Sequence, residues 1–110
     1  MSLSTHVLDT MRGTPAAGLE VTLSRREADG DWKDVAQSVT DADGRVREMS
    51  EDDLEAGDYR LVFATQRYFE RSGLSAFYPE VSVVFTFEGA GHLHVPLLLS
   101  PFGYTTYKGV

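Results

Sequence analysis

Apolar and polar residues alternate with a period of two along most of this 110-residue chain. Because successive side chains of a strand point to opposite faces of a sheet, this alternation predicts half-buried strands rather than helices. The one helical segment is expected from Thr65, as its N-cap, to Gly73, as its terminating residue. About eight short strands with one short helix, and no repeat or linker, predict an all-β (mainly β) fold of two packed sheets. We expect a single domain over residues 1–110.

The net charge and the composition argue against several classes of partner, of covalent cross-link and of metal site. Ten Lys and Arg against seventeen Asp and Glu give a formal net charge of -7, which disfavours nucleic acid and anionic membrane surfaces. The sequence has no cysteine, which excludes disulfide frameworks and thiolate metal sites. Its longest aliphatic run, from Val95 to Leu99, is interrupted by Pro96 and is too short to span a bilayer. We expect a cytoplasmic protein that binds neither nucleic acid nor membrane.

The segment that begins at His92 separates two histidines from an apolar face. In a strand, Leu93, Val95 and Leu97 point to one side. His92 and His94 point to the other side, which must face water, a partner or a site. Imidazoles titrate near neutral pH, so a pair of them on a rigid strand suits proton transfer.

His6 and Arg45 are the other candidates for chemistry. The alternation places His6 opposite Leu3 and Val7, off the core. Arg45 begins a strand immediately after the Asp43-Gly44 turn, where its guanidinium can present a planar fork to a carbonyl or enolate-like oxygen. Taken singly, each of these residues is more typical of a solvated surface, and it is the presence of two off-core histidines in separate strands that favours a site.

A metal site and a nucleophile are the alternatives to metal-free acid-base chemistry. His92 and His94 offer two imidazoles on one strand face, and His6 could supply a third ligand for zinc. No carboxylate lies at a telling spacing beside this pair, so a metal site ranks below a metal-free role. The sequence has neither a cysteine nucleophile nor a Gly-X-Ser-X-Gly elbow, and its glycines form no phosphate-binding loop.

Six segments of the chain match the sequence pattern of a known family. They are Leu3-Ser-Thr-His-Val-Leu-Asp9, Gly13-Thr-Pro-Ala16, Asp43-Gly-Arg45, Gly57-Asp-Tyr-Arg60, Phe77-Tyr-Pro-Glu-Val81 and His94-Val-Pro-Leu-Leu-Leu-Ser-Pro-Phe-Gly-Tyr104. On these segments the chain resembles the transthyretin-like proteins, specifically the 5-hydroxyisourate hydrolases of purine (urate) degradation. The resemblance covers essentially the whole chain, and its last segment is the most specific.

The resemblance implies a transthyretin-like sandwich that hydrolyses a cyclic amide bond of 5-hydroxyisourate, a small-molecule substrate. The product implied is 2-oxo-4-hydroxy-4-carboxy-5-ureidoimidazoline, formed without metal or organic cofactor. The resemblance assigns catalysis to His6, Arg45 and His94, with His94 rather than His92 as the second histidine. It also implies a homotetramer whose active sites lie in the channel between dimers. Carriers of the transthyretin type lack the histidine pair and this arginine, which favours the enzyme.

The C-terminal tail is where the chain departs from the family pattern. The resemblance implies a substrate-binding tail here, formed by Tyr107, Lys108, Gly109 and Val110. The family usually ends in Tyr-Arg-Gly-Ser, so a bidentate donor is replaced by a point charge and a terminal hydroxyl is missing. We expect diminished or retuned activity. The divergent tail also motivates a second hypothesis, a non-enzymatic transthyretin-like protein that binds a small planar ligand, and a purely structural sandwich is the third.

Overall fold

A computed structural model describes residues 2–109, whose strands form two packed sheets. In chain order the elements are β1 (Ser2–Asp9), β2 (Thr14–Pro15), β3 (Glu20–Arg26), β4 (Trp32–Val39), β5 (Arg45–Val46), β6 (Gly57–Phe63), α1 (Thr65–Glu70), β7 (Val81–Phe87), β8 (His92–Ser100) and β9 (Gly103–Thr106). The first sheet has the order β2-β1-β8-β9, with β5 also paired to β1, and the second has the order β4-β3-β6-β7. The predicted two-sheet sandwich is confirmed.

The core lies between the two sheets and is built from the apolar positions of the alternating pattern. β1 contributes Leu3 and Val7, and β8 contributes Val95, Leu97 and Leu99. The second sheet and its connections add further buried side chains, among them Val21, Leu23, Tyr59, Leu61, Phe63, Phe69, Val81 and Phe87. The alternate positions of β1 and β8, which include His6, His92 and His94, therefore lie on the outer face, whereas the polar Thr5 and Asp9 of β1 are buried.

The pairing of β1 with β8 is parallel and joins the two ends of the chain. Its register places Ser2 beside His92, Ser4 beside His94 and His6 beside Pro96. The off-core residues of the first strand and of the histidine strand consequently share one face of the sheet. This pairing is the step of the fold that builds the site.

The helix is shorter than predicted, and its cap differs. α1 ends at Glu70, and its N-cap is Ala64 rather than Thr65, so the prediction of Thr65 as N-cap is wrong. Thr65 is buried, and its hydroxyl donates to the carbonyl of Tyr78 at 3.5 Å instead of capping the helix. The N–H of Tyr68 bonds the carbonyl of Ala64 at 3.4 Å, which starts the helix one residue earlier. Within residues 2–109 no helix has the length and hydropathy to cross a membrane.

Candidate active site

Three neighbouring strands of the first sheet bring the candidate residues onto one face. Arg45 on β5 pairs directly with His6 on β1 in an antiparallel register. On the other side of β1, Ser4 pairs with His94 of β8. Residues paired across a sheet share a face, as do residues two apart along a strand. Arg45, His6 and His94 therefore lie together on the face turned away from the core.

The turn before Arg45 fixes where its strand begins. The carboxylate of Asp41 accepts hydrogen bonds from the backbone N–H groups of Asp43 at 2.8 Å and Arg45 at 3.0 Å. The bond from the Arg45 N–H is the main cause that lowers the pKa of Asp41. Gly44 has φ 74°, and a Cβ there would lie 2.4 Å from the carbonyl oxygen of Val7. The turn can approach β1 this closely because position 44 has no side chain.

His6 is held by the same turn. Its Nε2 lies 2.9 Å from the carbonyl oxygen of Asp43. Because a carbonyl can only accept, Nε2 carries the proton in this contact. In the tautomer with its proton on Nε2, Nδ1 of His6 can accept a hydrogen bond from a water molecule or a substrate.

His94 is half-buried and bonded on one side of its ring. Its Nδ1 lies 2.7 Å from the hydroxyl of Ser4. Burial lowers the pKa of His94. The positive charge of Arg45 lowers it further, as do those of His6 and His92 when they are protonated. The imidazole of His94 is accordingly neutral at neutral pH. Its Nε2 forms no hydrogen bond with any of residues 2–109 and is the nitrogen that can act as a base.

A cavity of about 550 Å³ opens on this face. It is lined by Ser4, Thr5, Arg45, Val46, Arg47, His92, His94 and Gly109, and His6 adjoins it through its pairing with Arg45. Arg47 pairs with Asp43 at 3.4 Å and with Asp41 at 3.9 Å. In the part of the chain that the structure describes, Arg45 forms no salt bridge, so its guanidinium is available to a ligand. The cavity thus concentrates positive charge in an acidic protein, which favours an anionic or oxygen-rich ligand.

The four tail residues are divided between two places. Gly109 borders the cavity and donates its N–H to the carbonyl of His94 at 2.8 Å. A Cβ at position 109 would lie 2.7 Å from the ring of His94, so glycine permits this contact. Tyr107 and Lys108 line a separate groove of about 310 Å³ beside β7. Val110 lies outside the described residues.

The ring nitrogens of the histidine strand are directed at serine hydroxyls. Nε2 of His92 lies 2.8 Å from the hydroxyl of Ser4, and its Nδ1 contacts the hydroxyl of Ser2. Over residues 2–109 no group of three or more His, Asp or Glu side chains is arranged to hold a metal ion.

Ser4 and Arg47, which line the cavity, were not identified from the sequence. The signal that was available for Ser4 is its position on the same alternating face as His6.

Comparison with known proteins gives a consistent result. The family described as the HIUase/Transthyretin family matches residues 3–109. The 5-hydroxyisourate hydrolase of Mus musculus is 47% identical over 110 residues, covering 97% of this chain and 93% of that protein. The structure of Klebsiella pneumoniae 5-hydroxyisourate hydrolase is similar with a TM-score of 0.90 and 37% identity, covering all of both chains. Sea bream transthyretin in complex with thyroxine is similar with a TM-score of 0.93 and 38% identity, covering 100% of this chain and 96% of that one.

Proposed function

Because the chain belongs to the HIUase/Transthyretin family, we propose that it is a 5-hydroxyisourate hydrolase whose catalytic residues are His6, Arg45 and His94. The observation that supports this assignment of residues is the direct pairing of His6 with Arg45 on the strand next to His94. The same fold occurs in a transthyretin with bound thyroxine, so the fold alone does not separate the two activities. The constellation of two imidazoles and a guanidinium suits hydrolysis.

His94 is the general base in this proposal. Its Nδ1 is occupied by Ser4, so Nε2 accepts the proton of the attacking water. The lowered pKa of His94 keeps the ring neutral and ready to accept at neutral pH. A positioned base of this kind contributes about 10²–10⁴-fold to a rate.

Arg45 stabilises the oxygen of the carbonyl under attack. Addition of water turns that oxygen into an oxyanion, and a guanidinium offers it two parallel N–H donors. The backbone bond to Asp41 and the pairing with His6 hold Arg45 in place before substrate binds. A group that needs no reorganisation stabilises the transition state more than the ground state.

His6 orients the reacting groups. With Nε2–H committed to the carbonyl of Asp43, Nδ1 accepts a hydrogen bond from the attacking water or from an N–H of the substrate. The tail residues Tyr107, Lys108, Gly109 and Val110 complete substrate binding from the same subunit or a neighbour. Gly109, which borders the cavity, supports this part of the proposal.

We also propose a homotetramer whose subunits cover the open face of the cavity. Apolar side chains lie exposed near the edge strands β7 and β9, including Phe102 at 74%, Phe77 at 69% and Val84 at 53% exposure. Association would bury these side chains and pair exposed strand edges. One domain over residues 1–110 is proposed to supply each subunit, and a cytoplasmic location stays a prediction.

The test is the ultraviolet decay of freshly prepared 5-hydroxyisourate, which also hydrolyses without a catalyst. The protein is expected to accelerate the decay, and addition of a chelator is expected to leave the acceleration unchanged. A decay rate equal to that in buffer overturns the proposed function.

A further inference from the structure

Four side chains of β1 and β8 form a continuous chain of hydrogen bonds beside the cavity. Ser4 lies 2.7 Å from Nδ1 of His94 and 2.8 Å from Nε2 of His92. Nδ1 of His92 in turn contacts the hydroxyl of Ser2. The parallel register produces this chain, because Ser2 pairs with His92 and Ser4 with His94 on one face. The hydrolysis described above assigns no role to Ser4 beyond occupying Nδ1, and none to His92.

The single hydroxyl proton of Ser4 couples the two histidines. A hydroxyl donates one hydrogen bond and accepts the others, so Ser4 donates to one ring and accepts from its neighbour. If Ser4 donates to Nε2 of His92, then both neutral rings carry their proton on Nδ1. If Ser4 donates to Nδ1 of His94, then both carry it on Nε2. In the neutral state His92 and His94 are therefore restricted to the same tautomer.

The two histidines of this chain of hydrogen bonds lie in different surroundings. Ser4 is only 8% exposed and His94 is half-buried, whereas His92 is exposed to solvent. The cavity also holds the cations of Arg45 and Arg47, and His6 and His92 are the other titratable groups facing His94. An imidazolium on His94 would be poorly hydrated and close to positive charge, while one on His92 is in contact with water.

We propose that Ser4 and His92 are positioning residues that relay the proton which His94 takes from the attacking water. This inference rests on the proposed hydrolase function. As the water proton reaches Nε2 of His94, the Nδ1 proton of His94 passes to Ser4, and the former hydroxyl proton of Ser4 passes to Nε2 of His92. The positive charge then lies on His92, whose Nδ1–H still donates to Ser2, and His94 remains neutral.

The relay prepares His94 for the second half of the reaction. Its Nε2 now carries the proton that the leaving nitrogen needs when the amide bond breaks. As His94 gives up that proton, the extra proton of His92 returns through Ser4 to Nδ1 of His94. Every proton is accounted for, and the four side chains regain their starting arrangement. One imidazole thus serves first as base and then as acid without becoming an imidazolium beside Arg45.

Two measurements test the relay, one with and one without substrate. The first records the ring ¹⁵N shifts of His92 and His94 by NMR in the ligand-free protein at about pH 8, well above the ordinary pKa of an imidazole. The second compares steady-state kinetics of the native protein with Ser4→Ala, Ser4→Thr and His92→Gln. Ser4→Thr retains the hydroxyl and is the matched control, while His92→Gln retains an amide donor but cannot accept a relayed proton.

Both native rings are expected to carry their proton on Nδ1, the tautomer that leaves Nε2 of His94 free to accept, and Ser4→Ala is expected to uncouple them. Ser4→Ala and His92→Gln should each lower kcat by about ten-fold or more with KM close to native, and Ser4→Thr should restore most of kcat. Different tautomers in the native protein, protons on Nε2 of both rings, or native kcat in both Ser4→Ala and His92→Gln overturn the relay. Matching tautomers in a protein that does not accelerate hydrolysis confirm the coupling and overturn the proposed function. If Ser4→Ala does not fold, the exposed His92→Gln decides the kinetic arm.

Discussion

His6 on β1 lies directly opposite Arg45 on β5, and this pairing sets two of the three proposed catalytic residues side by side. β5 is only two residues long, so the position of Arg45 depends on the turn that precedes it. That turn is tied to β1 by the N–H of Val7, which donates to the carbonyl of Gly44 at 2.8 Å. The geometry of the site therefore depends on Gly44, a glycine that is not among the residues lining the cavity.

Replacement of Gly44 by alanine is expected to damage both stability and activity. The new Cβ would lie 2.4 Å from the Val7 oxygen at a positive φ, so the turn must move away from β1. We expect a loss of about 2–4 kcal/mol in unfolding free energy and a lower kcat. Gly30→Ala is the control, because Gly30 has φ 91° but no atom within 4 Å of its would-be Cβ. Thermal unfolding should show a loss of only about 1 kcal/mol for the control, and equal losses in the two variants would contradict the close approach.

The two proposed catalytic histidines should be more sensitive than their neighbour. His6→Ala and His94→Ala are each expected to lower turnover by about two orders of magnitude, as removal of an acid-base group commonly does. His92→Ala should have a smaller effect, since His92 acts through His94. Steady-state rates of the three variants measure this order. If His92→Ala is as damaging as His94→Ala, the assignment of the base along β8 is wrong.

The pH dependence should report the titration of His94. Above its pKa the ring is neutral and accepts a proton, so kcat should fall as the pH decreases through that pKa. Burial of His94, together with the charges of Arg45, His6 and His92, places this pKa below the ordinary value of about 6.5. NMR titration of the His94 ring should show a midpoint below that value in the native protein and a higher midpoint in Arg45→Gln. Arg47 remains in both proteins, so an unchanged midpoint would mean that Arg45 does not act on His94.

The tail can be tested by restoring the usual family ending. Lys108→Arg with Val110→Ser should raise kcat/KM if an arginine fork and a terminal hydroxyl contact the transition state. Deletion of residues 107–110 should lower it, in part because the N–H of Gly109 no longer bonds the carbonyl of His94. The comparison requires that all three proteins assemble alike. Identical rates for native, restored and truncated proteins would remove the tail from the active site.

Sedimentation should report about four chains per particle, because the exposed side chains Phe77, Val84 and Phe102 would be buried on association. Phe102→Ser, which leaves the cavity residues intact, should weaken assembly at low protein concentration. A monomer that turns over substrate at the native rate would contradict a site completed between subunits.

Much of the fold was predictable from local patterns. Alternation identified both histidine-bearing strands and the faces that they bury, because a half-buried strand requires that pattern. The limits of α1 were not predictable, since the hydroxyl of Thr65 is engaged by the distant carbonyl of Tyr78. A local pattern contains no information about such a partner.

The site was only partly predictable for a similar reason. The family resemblance singled out His6, Arg45 and His94, and periodicity placed the two histidines off the core. The parallel pairing of β1 with β8 joins segments about ninety residues apart, so no local signal indicates that Ser4 lies between two imidazoles. The tail, whose Tyr107 and Lys108 line a separate groove, likewise depends on long-range packing.

The most direct measurement is the decay rate of 5-hydroxyisourate at one fixed protein concentration with native protein, Arg45→Gln and Lys33→Gln. Lys33 lies exposed on β4 of the second sheet, so its variant removes the same charge without altering the site. We predict rapid decay with native protein and with Lys33→Gln, and a loss of about two orders of magnitude with Arg45→Gln. A native protein no faster than buffer, or an Arg45→Gln variant as fast as Lys33→Gln, would contradict hydrolysis by His6, Arg45 and His94.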